Sequence, residues 1–166
     1  MTAHESSRPV GAAGSDVESR LAELGLAVPE VVPPVAAYQP VVVADGVVYT
    51  AGQLPLIQGE LPLTGKVGAE VTEEQAVELA RQCALNCLAA LKHAVGDLDR
   101  IARIAKVGGF VASDPGFFGQ PKVLNGASEL FGHAFGDLGA HARSAVGVAA
   151  LPLNAPVEVD VIAHVA

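Results

Sequence analysis

The chain has 166 residues, of which 51% are hydrophobic and only 4% aromatic, with no tryptophan. That length suits one core rather than two domains, and the core must be built from Val, Ala and Leu, whose small side chains let elements approach closely. A net charge of −8 repels phosphate backbones, the ten Lys and Arg residues are scattered singly, and charges interrupt every apolar run short of a bilayer span, so nucleic-acid and membrane partners are not expected.

Residues 1–15 are rich in Ala, Ser and Gly, lack the apolar stretch of a secretory signal, and read as a flexible tail, which makes a cytoplasmic address the expectation; residues 16–166 form the folded unit. Ser15 and Glu18 have capping-box spacing, and a short helix carrying Leu21 and Leu24 should end at Gly25. Residues 28–37 hold three prolines and must be extended. Over residues 41–51 two β-branched runs flank Asp45-Gly46, a dipeptide suited to the positive φ angles of a type I′ hairpin turn. Residues 53–68, with two prolines and three glycines, form an irregular connection.

A long helix begins at Thr72, whose partner Gln75 lies three residues on. Its apolar stripe is 76, 80, 83, 84, 87, 88 and 91, and Gly96 ends it. Residues 101–111 contain a strand, 113–120 a loop, and a second helix starts near Pro121 with the stripe Val123, Leu124, Ala127, Leu130, Phe131, Ala134 and Phe135, stopping at Gly136. Two last strands, 144–149 and 157–165, are separated by Leu151-Pro152 and a second proline, Pro156. This order predicts an α+β fold with both helices on one face of a four- to six-stranded sheet. The last strand has valines at 157, 159, 161 and 165 on one side and Glu158, Asp160 and His164 on the other. Its second face therefore needs a polar cover or another subunit.

Few residues suit chemistry. Arg143 heads a strand of small and apolar residues, where five donors need an acceptor. The residues leave open a structural ion pair with Asp137, Glu158 or Asp160, or bidentate capture of a substrate carboxylate assisted by strand N–H groups. Glu158 could orient a water, and it lies near Arg143 if the last two strands form a hairpin. Tyr38 reads as a packed surface ring, Asn125 as a donor to the Gly/Phe loop before its helix, and Cys83 and Cys87 as small apolar members of a buried stripe. The five histidines show no metal-binding spacing, so no metal is assigned, and only His141 is near Arg143 in sequence. Gly108-Gly109 marks close packing or a bulge.

Taken together, Tyr38, residues 48–55 (VYTAGQLP), Val123-Leu124-Asn125, residues 142–146 (ARSAV), Leu151-Pro152 and Val157-Glu158-Val159 resemble the Rid family, the YjgF/YER057c/UK114 group also called the L-PSP endoribonuclease family. The resemblance runs from about Leu21 to the C-terminus. It implies a chorismate-mutase-like fold, a homotrimer with intersubunit clefts, no cofactor, and hydrolysis of reactive 2-imino acids to 2-keto acids and ammonia. By position, Arg143 would grip the substrate carboxylate with help from the N–H of Ala145, and Glu158 would place the attacking water. Tyr38 of a neighbouring subunit would line the pocket, Gly52 would let the backbone approach the ligand, and Asn125 would shape the site. The chain departs from the family pattern at Ala51, Ala142 and Gly147. The competing readings are a non-catalytic sensor of small carboxylates in the same cleft and, disfavoured by the acidic charge and few aromatics, an endoribonuclease or translation inhibitor.

Overall fold

A computed structural model describes residues 15–31 and 37–166. The expected tail and the proline-rich stretch 32–36 lie outside the described residues. Helix α1 (Asp16–Glu23) packs Val17 and Leu21 into the core. Its predicted capping box does not form. Instead the Ser15 hydroxyl donates to Asp99 at 2.6 Å, and the same carboxylate accepts the N–H groups of Asp16 and Val17 at 2.8 and 3.0 Å. A carboxylate from a distant turn thus caps this helix, a pairing that local spacing cannot reveal.

Strands β1 (Val41–Ala44) and β2 (Val47–Thr50) form the expected hairpin, with Asp45 and Gly46 at φ 49° and 75°. Helix α2 (Glu73–Val95) starts with the predicted Thr72/Gln75 capping box and ends at Gly96, and every position of its predicted stripe is buried. Helix α3 (Gln120–Phe135) likewise buries its whole predicted stripe. The two helices cross closely at Gly126, where a Cβ would lie 2.0 Å from the carbonyl oxygen of Val77.

The sheet has the order β1-β2-β5-β3-β4, with β3 (Ile101–Ala112), β4 (Ala142–Val148) and β5 (Val157–Val165). Both long helices cover one face, over Val157, Val159 and Val161 of β5 and Val107 and Val111 of β3. Cys83 and Cys87 sit in this layer, their thiols donating to the carbonyls of Val157 and Val159. Gly108-Gly109 marks close packing: Gly109 admits Leu124 from the helix side and Gly108 admits Asp160 from the other, while the irregularities in β3 fall earlier, before Lys106.

The last two strands do not form the hairpin that would have put Glu158 near Arg143. Because α3 joins β3 to β4, that connection is a crossover and the two strands are parallel, leaving β4 at the edge, while β5 inserts between β2 and β3.

Candidate functional site

The topology separates the two residues singled out for chemistry. Arg143 pairs with Val107, whereas Glu158 pairs with Phe110, so two interstrand spacings and three residues along the strand put their Cα atoms ~14 Å apart. They also point to opposite faces: Arg143 toward α3, Glu158 away from the buried Val157 and Val159. Neither Glu158 nor any other acid pairs with Arg143 among the described residues.

What holds Arg143 is a pair of neutral acceptors on α3. Its Nη1 donates to Asn125 Oδ1 at 2.9 Å and to Ser128 Oγ at 3.2 Å. Asn125 therefore faces Arg143 and accepts from it, rather than donating to the preceding loop. Both Nη1 hydrogens are committed, which leaves the Nε–H and Nη2 side of the guanidinium, with its full positive charge, as a fork for a carboxylate.

This fork lies beside an open sheet edge. The carbonyl of Val148 accepts from Ser113 next to β3, and backbone groups of a parallel strand alternate in direction. Arg143, Ala145 and Gly147 consequently turn their N–H and C=O groups outward. Arg143 and the N–H of Ala145 thus share one edge strand.

The second cluster lies on the uncovered face. Glu158 sits over Gly52, where a Cβ would come 1.8 Å from its Oε1; Gly52 is needed for this carboxylate to approach the backbone. Asp160 lies two residues on, over Gly108. Burial pushes the Glu158 carboxyl above its ordinary range, and the charge of Asp160 adds to the rise. Burial also raises Asp160, against the lowering pull of the Gly108 N–H and Lys106. Tyr38 is 54% exposed just before β1, at the opposite edge of the sheet from β4, and its own chain does not bring it to Arg143.

Sequence reasoning passed over Ser128, gave Gly108 only a part in packing and gave Asp160 only a structural part. Asn125 and Ser128 at i,i+3 spacing, beside an apolar stripe, were the available signal for a polar patch on α3.

The α+β sheet with two helices covering one face gives the class of fold. The family model described as "YjgF/chorismate mutase-like, putative endoribonuclease" matches residues 18–165, and the chain belongs to this YjgF/Rid family. It is 41% identical over 149 residues to Protein TCP17 of Trypanosoma cruzi, covering 89% of this chain and 93% of that one. Among solved structures, it is similar to Atu1372 of Agrobacterium tumefaciens, a protein described as of unknown function, at 44% identity and TM-score 0.86, covering 91% and 93% of the two chains. It is also similar to a protein from Shewanella oneidensis MR-1 titled a "putative endoribonuclease", at 35% identity and TM-score 0.87, covering 90% and 99%. Among the described residues no helix is long and apolar enough to cross a membrane.

Proposed function

We propose that this protein hydrolyses small 2-imino acids to 2-oxo acids and ammonia, in clefts where Arg143 of one copy meets Glu158 of the next within a homotrimer. The observation that carries this reading is the state of Arg143: its guanidinium is fixed by neutral acceptors, keeps its charge, and presents a free fork beside the outward N–H of Ala145. A planar carboxylate fits that pair of donors. A second copy is supported by the opposite faces and the ~14 Å that separate Arg143 from Glu158 in one chain. The uncovered face supports it as well, because Val42, Tyr49 and Val146 are exposed there around the acidic pair. Tyr38 from a neighbour would close the same cleft.

In this mechanism Arg143 and the N–H of Ala145 hold the carboxylate. Glu158, its carboxyl raised by burial, accepts a proton from water as the oxygen bonds to the imine carbon. That proton then returns to the nitrogen of the carbinolamine, and as the C–N bond breaks Glu158 takes the hydroxyl proton, leaving the keto acid and ammonia. An imine is already electrophilic when protonated, so positioning of water is the main contribution asked of the protein.

The test couples a threonine dehydratase to this protein and follows 2-oxobutanoate. Arg143→Ala should lower kcat/KM at least ~100-fold, the range for losing a charged carboxylate anchor. Acceleration that is absent in the wild type, or equal in the variant, refutes the reading. Co-expressing Arg143→Ala with Glu158→Ala subunits should restore about a quarter of the sites if each is shared between neighbours. No restoration would place both groups in one chain and refute the shared cleft. Carboxylate binding without turnover would assign the cleft to sensing instead.

A further inference from the structure

The polar patch behind Arg143 extends further than its two acceptors. Ser128 Oγ lies 2.9 Å from Nε2 of His141, and Nδ1 of His141 lies 2.6 Å from the carbonyl oxygen of Gly139. The imidazole stands edge-to-face against Phe131, with ring centroids 6.0 Å apart, which fixes its plane. With a neutral imidazole, donor and acceptor types determine the direction of the whole chain. A guanidinium can only donate, so Ser128 Oγ accepts from Arg143. A carbonyl can only accept, so Nδ1 of His141 carries the hydrogen. In that neutral ring Nε2 keeps its lone pair toward the serine, 2.9 Å away, and can accept the hydroxyl hydrogen.

The histidine therefore has a specific task. A serine inside a helix ordinarily donates its hydroxyl to the carbonyl four residues back, here Leu124. That rotation would turn the lone pairs of Ser128 relative to Arg143. By drawing the hydroxyl hydrogen away from the helix, His141 keeps an Oγ lone pair aimed at Nη1. We propose that Ser128 and His141 are positioning residues that hold Nη1 of Arg143 against α3, so that its Nε–H and Nη2 fork stays aimed at the ligand carboxylate. This rests on the reading of Arg143 as the carboxylate anchor. Neither residue touches the ligand.

Pyruvate, which carries the carboxylate of the product class, is the probe. Its binding is titrated calorimetrically against wild type, Ser128→Ala, His141→Phe and His141→Gln. His141→Phe keeps a ring against Phe131 and removes the acceptor, and it should weaken pyruvate about tenfold, the range of one hydrogen bond to a charged group. Ser128→Ala should do the same, and the Ser128→Ala/His141→Phe double variant should be no weaker than Ser128→Ala alone, because the histidine acts only through the serine. His141→Gln, which offers an oxygen near the Nε2 position, should recover most of the affinity. In the imine assay the loss should fall on KM with kcat nearly unchanged, a split that general loosening of the fold would not produce.

An independent readout is the tautomer. Long-range nitrogen-15 NMR correlations should show His141 as the Nδ1–H form. An Nε2–H or doubly protonated ring at pH 7.5 overturns the proposal, as does pyruvate affinity within twofold of wild type in both single variants, or a wild type that binds no pyruvate. If wild type binds pyruvate and the variants weaken it as stated while no imine is hydrolysed, the proposed reaction fails and the positioning role stands.

Discussion

Gly52→Ala moves a carboxylate without changing any charge, and so separates the placement of Glu158 from its presence. Gly52 is not one of the positive-φ glycines, so alanine meets no backbone penalty there. Its Cβ would nonetheless sit 1.8 Å from Glu158 Oε1, 2.8 Å from the carboxyl carbon and 3.2 Å from Cγ. Carbon and oxygen settle at about 3.5 Å, so the carboxylate has to retreat by more than ~1 Å. A displacement of that size at a reacting group costs about 100-fold in rate. Stability should move little or upward: the displaced carboxyl swings from a half-buried place into water, and replacing glycine by alanine at an unstrained position stabilises by about 0.4–1 kcal/mol through the unfolded chain. The expected signature is therefore kcat/KM in the coupled imine assay about 100-fold below wild type, with a thermal midpoint equal to or above it. In a Glu158→Ala background Gly52→Ala should have no further effect on rate. Activity within threefold of wild type would show that the carboxylate over Gly52 does not place the attacking water.

Asp160→Asn should raise the thermal midpoint at pH 7 and leave it unchanged at pH 3. The sign follows from Glu158 and Asp160 both being raised: they bind protons more tightly folded than unfolded, so stability declines as pH climbs from the ordinary carboxyl range through the folded values, and is regained below it. An equal shift at both pH values would show that charge is not the cause. Gly126→Ala should cost roughly 1–3 kcal/mol in urea unfolding, because its Cβ meets the backbone oxygen of Val77 rather than a side chain that can turn away. A neutral result would mean that α2 and α3 separate freely at this crossing. Cys83 and Cys87 are fully buried, and burial pushes both thiols well above the ordinary range, so an aromatic disulfide reagent should find no reactive thiol in the native protein and both after denaturation. Rapid native labelling would contradict this packing.

The hairpin at Asp45-Gly46, the Thr72/Gln75 capping box and the two helical stripes were legible because each signal is written in contiguous residues, where turn sterics and the 3.6-residue period act locally. The face of β5 bearing Glu158 and Asp160 was legible for the same reason, since strand alternation needs no partner. Two site residues could be paired only by the fold: Gly52 lies under Glu158 through the antiparallel approach of Gln53 to Val159, more than a hundred positions away in the chain. The cap that Asp99 gives to α1 arises in the same nonlocal way.

The sequence by itself determined which residue types were available for chemistry, an arginine in an apolar strand and an acid among valines, because burial in a small aliphatic core leaves few polar groups in such company. Tertiary structure alone decided what each one meets. Routing the chain from β3 through α3 put β4 at the sheet edge, parallel to its neighbour, and so turned Arg143 toward Asn125 and Ser128 and away from every acid expected to pair with it. Strand order is a property of the whole sheet, and no local period encodes it.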